Sequence, residues 1–116
     1  MDIDELKAKL RAFATERDWD QFHSPKNLAM ALSVEVAELV ELFQWLSEEE
    51  SRSLPAEVGR QAAEEIADIQ IYLVRLADKL GVDIDSAVGA KIESNKIKYP
   101  ADKVRGKASK YTEYEA

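Results

Sequence analysis

The sequence contains no cysteine, which removes disulfide frameworks, zinc–thiolate sites and thiol nucleophiles together. It holds a single histidine, His23, too few for the paired Glu-x-x-His motifs of a carboxylate-bridged di-iron bundle. Glycine is scarce, with 4 residues, and none forms a Gly-rich phosphate loop. No uncharged apolar run approaches the ~20 residues that span a bilayer. The N-terminus, MDIDELKAKL, is charged throughout and lacks the apolar core of a signal peptide. A cytoplasmic protein with no membrane partner is expected. Positive charge is also in deficit, with 16 Lys and Arg against 23 Asp and Glu and a net charge of −7. That is the wrong sign for a general nucleic-acid binder.

What remains is suited to one soluble domain. In 116 residues, 46% are hydrophobic and 34% charged, enough apolar material for a single core. The domain is expected to occupy 1–116, with 101–116 as a polar, lysine-rich tail. Apolar residues recur at helical spacing and no alternating pattern is long enough for a sheet. A first helix is expected from about Asp4 to Arg17. Ser24 reads as an N-cap with Pro25 at the first helical position, opening a second helix that reaches about Leu46. An exposed polar loop, Ser47–Ser53, leads to a third helix from about Glu57 to Leu80, stopped by Gly81. Asp83 caps a fourth that must end near Tyr99, because Pro100 disfavours helix at the residue before it. The fold class is all-α, a four-helix bundle-like protomer.

Winding these helices at ~100° per residue separates ordinary acids from misplaced ones. On the second helix Leu28, Leu32, Leu39, Leu42 and Leu46 form an apolar arc. Glu35 falls near its middle and Glu38 at its edge, while Glu41 points toward solvent. On the third, Ala62, Ile66, Ile69, Leu73, Leu76 and Leu80 make the inward arc. Glu65 borders it and Asp68 follows on the same flank, whereas Glu64 points elsewhere. Glu35/Glu38 and Glu65/Asp68 are each spaced i, i+3 and share a face. Such a pair is usually a solvated helix surface. An acid embedded among leucines is not, and four converging carboxylates are costly unless a hard cation such as Mg²⁺ neutralises them.

The fourth helix adds Lys91, Asn95 and Lys98 in continuation of the face begun by Ile84 and Val88. Lysine offers phosphate a point charge and an amide can read a base edge, although lysines in a last turn also favour the helix dipole. The aromatic residues Trp19, Phe22, Trp45, Tyr72 and Tyr99 include candidates for base stacking, worth roughly 1–3 kcal/mol per base. Aromatics at helical spacing are more often core. Trp19, beside His23 in the loop before the acidic helix, is the least core-like.

The succession ERDWDQFHSPKNLAMALSVEVAELVELFQW, EEIADIQIYLVRLAD and KIESNKIKYP resembles the MazG-like, all-α NTP pyrophosphatases, in particular their dCTP pyrophosphatase branch. The likeness extends from about Asp4 to the KYTEY segment, Lys110 to Tyr114. The ExxE…ExxD pattern alone is weak. Joined to DWxQFHxPxN before it and KxxxNxxxYP after it, it is specific. The resemblance implies Mg²⁺ held by Glu35, Glu38, Glu65 and Asp68, in two or three ions, with Mn²⁺ able to substitute. It implies cleavage of a nucleoside triphosphate, dCTP or a modified dCTP, to the monophosphate and pyrophosphate. It further implies phosphate contacts from Lys91, Lys98, Lys107, Lys110 and Tyr111, and a nucleoside pocket from Trp19, Trp45, Tyr72, Asn95 and Tyr99; His23 is a further pocket candidate, with a capping or packing histidine as the equal alternative. Glu38 and Glu35 are the catalytic candidates, Glu38 as general base. The protomer is expected to work as a homodimer or homotetramer, its cleft at a subunit interface. Leu10 stands where animal members carry a first-helix histidine that contacts the nucleotide, so the base preference is left open. The competing reading is a non-catalytic helical module whose acidic patch binds a basic partner, which does not need an acid set among leucines.

Overall fold

The computed structural model describes residues 1–108, and among these every regular element is helical. Lys110 and Tyr111 lie outside the described residues.

Local chemistry explains where the helices begin and end. Asp2 accepts from the Glu5 N–H at 3.1 Å and opens α1, Ile3–Glu16. At its far end the Trp19 N–H donates to the Ala14 carbonyl at 2.9 Å and the Asp18 N–H to Thr15 at 3.1 Å, with Asp18 at φ 55°. This is the left-handed cap usually taken by glycine. Aspartate tolerates it because its short side chain bonds locally, here by accepting from Gln21 Nε2 at 3.0 Å. The reversal delivers Trp19 and a single 3₁₀ turn, Asp20–Phe22, against α1.

Ser24 caps α2, Pro25–Glu41, by accepting from the Asn27 N–H at 3.1 Å. The helix stops five residues short of the expected Leu46. After Glu41 the backbone tightens into i→i−3 bonds, Phe43 to Val40 and Leu46 to Phe43, both 2.9 Å. No glycine or proline marks this change, so apolar spacing alone overran it. The stretch expected as a polar loop carries a one-turn helix, α3, Glu48–Ser51. It is held by a capping box in which Ser47 Oγ accepts from the Glu50 N–H and Glu50 Oε1 from the Ser47 N–H.

The longest helix, α4, runs Ala56–Leu80 and ends at Gly81, φ 68°. Val82 bonds back to Ala77 and Gly81 to Asp78, completing a Schellman cap that only glycine enters without strain. Asp83 caps α5, Ile84–Lys98, which ends at Tyr99 before Pro100 as expected. A one-turn α6, Ala101–Val104, follows.

The chain divides into two compact units, Met1–Val82 and Asp83 onward. In the first, α4 packs chiefly on α2 and secondarily on α1. Its buried apolar residues are Ala14, Leu28, Ala62, Val74 and Ala77, with Leu28 1% exposed and Val74 fully covered. The expected inward arc of α4 therefore needs correction. Ala62 is buried and Ile69 and Leu76 half-buried, but Ile66, Leu73 and Leu80 are exposed. A helical wheel assumes one inward face, whereas α4 has a neighbour on each of two flanks. The third flank keeps an apolar stripe at seven-residue spacing turned outward. No helix among the described residues is long and apolar enough to cross a membrane.

Because Leu28 is sealed at the α2–α4 contact, Leu28→Ala removes buried methyl groups and enlarges a void. We expect a loss of about 2–5 kcal/mol in urea unfolding with an unchanged m-value.

Candidate active site

The α2–α4 contact brings the misplaced acids together. Carboxylate oxygens of Glu35, Glu38 and Glu65 all lie within 4.8 Å of one another, Glu38 exposed and the other two half-buried. One oxygen of each half-buried acid, Glu35 Oε2 and Glu65 Oε2, is sealed from solvent with no hydrogen-bond partner. A buried acceptor without a donor is costly. Asp68, the fourth expected member, is half-buried one turn along α4 and lies outside this close trio. Its charge still acts on both Glu35 and Glu65.

The electrostatics follow from this crowding. Glu35 is raised from the ordinary 4.5 to about 7, first by the close approach of the Glu65 carboxyl, then by burial and by the charges of Glu38 and Asp68. The same approach favours the ionised form of Glu65. Burial and the neighbouring charges of Glu38 and Asp68 outweigh that gain and raise it as well. Oxygen-only donors with two unpaired buried members suit a hard divalent cation. Each oxygen would then gain a partner and the repulsion would be neutralised.

A second constellation lies along the same two helices. Leu10, Phe13, Trp19, His23, Leu28 and Tyr72 line a cavity of about 150 Å³, with Ile71 and Arg75 completing its wall. Trp19 is held edge-on to Phe13, ring centroids 5.7 Å apart, an orientation favoured by the ring quadrupoles. Leu28 is seven residues from Glu35 and Tyr72 seven from Glu65. The cavity therefore sits two helical turns from the acids on both helices, roughly 10 Å at 1.5 Å per residue. The matching steps also show that α2 and α4 run antiparallel.

Three of the expected nucleoside residues, Trp19, His23 and Tyr72, are thus brought together. Trp45 is not: it lies beyond the end of α2 and is 87% exposed. Lys91 and Asn95 are exposed on α5, and Lys98 and Tyr99 stand at its end, all in the second unit. Val88, expected on an inward face with Ile84, is 50% exposed.

A charged group that the sequence reading missed is Arg75, 5% exposed. Its guanidinium donates to Asp20 Oδ1 at 2.6 Å and to His23 Nδ1 at 3.3 Å, and lies 3.7 Å from Asp78. Arg11 binds Asp78 through two nitrogens and Lys79 donates to Asp20 at 2.6 Å. The hydrogen bond from Arg11 holds Asp78 below the usual carboxylate range, and that from Lys79 does the same for Asp20. The signal was available: Glu65, Asp68, Tyr72 and Arg75 continue one stripe at spacings of three and four.

A model of the MazG-like family matches residues 30–114, a span that holds all four acids. The chain belongs to the MazG-like family. Among MazG-like relatives, dCTP pyrophosphatase 1 of Mus musculus is 46% identical over 113 residues, covering 96% of this chain and 66% of that protein. The Bos taurus protein of the same name is 48% identical over 113 residues, covering 96% and 67%. The chain thus spans about two thirds of the length of these curated relatives. A pyrophosphatase from Archaeoglobus fulgidus of known crystal structure is similar with a TM-score of 0.79 at 44% identity, over 84% of this chain and 91% of that one.

The raised carboxyls make a pH signature for this MazG-like cluster. A group that binds its proton more tightly when folded stabilises the fold at low pH and loses that contribution as pH rises through the folded value. Without divalent cations, the Glu35 contribution should decline between pH 4.5 and about 7. Glu35→Gln should flatten the fall in Tm over that window. Mg²⁺ affinity, read by calorimetry, should rise over the same window, because the bound proton must leave.

Proposed function

We propose that this chain is a Mg²⁺-dependent nucleoside triphosphate pyrophosphohydrolase that converts dCTP, or a modified dCTP, and water to the monophosphate and pyrophosphate. The observation that carries the reading is the pair of buried, unpartnered oxygens on Glu35 and Glu65 beside Glu38. Family membership and the dCTP pyrophosphatase relatives support the same chemistry. The domain is the whole of 1–116, with 101–116 a polar tail, in a cytoplasmic enzyme.

Glu35, Glu38, Glu65 and Asp68 would hold the metal. Mg²⁺, with Mn²⁺ able to substitute, would offset charge on the polyphosphate and make water a better nucleophile at neutral pH. Glu38, the solvent-facing member of the trio, takes the proton from the attacking water. Glu35 and Glu65 keep their oxygens aimed at the phosphate end because their helices are packed against each other. Trp19 and Tyr72 flank the base in the cavity. The separation of roughly 10 Å leaves room for a sugar and the start of the triphosphate between the base and the acids. Lys91 and Lys98, with Lys107, Lys110 and Tyr111, are the proposed phosphate contacts. Trp45, Asn95 and Tyr99 complete the nucleoside site in the working homo-oligomer. The exposed stripe of Ile66, Leu73 and Leu80 supports such an assembly, since a continuous apolar face calls for a partner.

The test is release of pyrophosphate from dCTP with and without Mg²⁺. Wild-type protein should yield dCMP and pyrophosphate only with the metal. Glu38→Gln should keep its helical circular dichroism and lose at least about a hundredfold in kcat, the usual yield of a positioned base. Turnover at the wild-type rate would remove Glu38 from the chemistry, and no release from any nucleotide would remove the enzyme.

A further inference from the structure

His23 and Arg75 share the cavity wall, and their contact has a definite polarity. Arg75 Nε lies 3.3 Å from His23 Nδ1. A guanidinium carries five donors and no acceptor and does not lose its charge in proteins. His23 Nδ1 must therefore accept, and the proton of the neutral ring resides on Nε2. Among the described residues no hydrogen bond occupies Nε2.

The guanidinium that imposes this is itself held in place. Asp20, which also receives Lys79, fixes one end, and Asp78, gripped by Arg11 through two nitrogens, stands at the other. Rotating Arg75 away from His23 would break this array. Burial and the adjacent positive charge also keep the imidazole below its ordinary 6.5, against the pull of Asp20. The ring stays neutral at physiological pH.

We propose that Arg75 is a positioning residue for base selection: it fixes His23 as an Nε2–H donor toward the cavity. The site then prefers a base whose pairing edge bears a ring-nitrogen lone pair, as cytosine does, over one bearing N–H there, as uracil does. This rests on the nucleotide reading above and names the device that selects among bases. Arg75 touches no reacting atom and acts through His23.

Two measurements test it. His23 is the sole histidine, so its ring nitrogens are unambiguous in ¹⁵N NMR of the substrate-free protein. The wild type should show an unprotonated Nδ1 and a protonated Nε2. In Arg75→Met, where Asp20 can accept from the ring, the proton should move toward Nδ1 and the midpoint should rise. A wild-type ring protonated at Nδ1 overturns the assignment.

The second measurement is the ratio of kcat/KM for dCTP over dUTP. It should fall roughly tenfold in Arg75→Met, the equivalent of one hydrogen bond, mostly through KM. In a His23→Gln background the same substitution should leave the ratio unchanged. A wild-type ratio in Arg75→Met, or an equal fall in both backgrounds, overturns the proposal. Should Arg75→Met unfold, Arg75→Lys keeps the charge without the fork that spans Nδ1 and Asp20, and is read the same way. Turnover of neither nucleotide by the wild type would overturn the nucleotide reading and base selection together, whereas the tautomer is decided by the spectrum alone.

Discussion

Two helices that pack through leucine and valine also press three carboxylates to within 4.8 Å of one another, and this repulsion organises the molecule. Like charges at that spacing repel, and the sealed oxygens leave little water between them to screen it. The apolar contact that includes Leu28 and Val74 must offset that cost. Without a cation, partial relief comes from a proton on Glu35, whose pKa the neighbouring Glu65 carboxyl, burial and the charges of Glu38 and Asp68 raise to about 7. A proton satisfies one pair at most and leaves Glu38 and Asp68 uncompensated. A divalent ion serves all of them at once. The same residues therefore strain the fold and suit a hard cation.

The register of that helix pair also sets the dimensions of the site. Because α2 and α4 are antiparallel, Glu35 faces Glu65 at one level and Leu28 meets the Tyr72 level two turns away. A slip of one turn would separate the acids and close the cavity together. The left-handed turn at Asp18 adds the third wall by folding Trp19 back toward Phe13. Aspartate rather than glycine at that position trades a modest backbone cost for a side chain that anchors Gln21.

Much of this was legible in the sequence, for physical reasons. The cap residues Ser24, Gly81 and Asp83 announce helix ends because each satisfies an orphaned backbone group in a way few residues can. Glu35 stood out because an acid amid leucines violates the helical pattern. The end of α2 was not legible, since the tightening after Glu41 depends on how residues 42–46 pack and carries no local marker. The outward turn of Ile66, Leu73 and Leu80 was hidden for a related reason. Periodicity identifies an apolar face without saying whether its partner lies in the same chain. Arg75 escaped notice because an arginine on a helix is ordinarily surface charge, and only the fold shows it sealed between Asp20 and Asp78.

The two charge clusters of the first unit differ in a way that separates support from chemistry. Arg75 is buried with its charge matched: it donates to Asp20 and to the His23 lone pair, Asp78 stands 3.7 Å away, and Arg11 and Lys79 balance those acids in turn. Such an array has its charges paired within the protein, and its strength goes into holding geometry. Glu35 and Glu65 are half-buried and incomplete, each with a sealed oxygen that no protein donor reaches. Removal from solvent alone does not mark a functional site, because both clusters have sealed polar atoms, and neither do displaced pKa values, because both have those too. The mark is the unmet valence. A basic partner protein would not meet it, since Glu35 Oε2 and Glu65 Oε2 are closed to any side chain from outside, while the exposed Glu38 leaves a side open to a small ion. The paired cluster orients one wall of the cavity, and the unsatisfied one, two turns away, is left with oxygens suited to a hard cation.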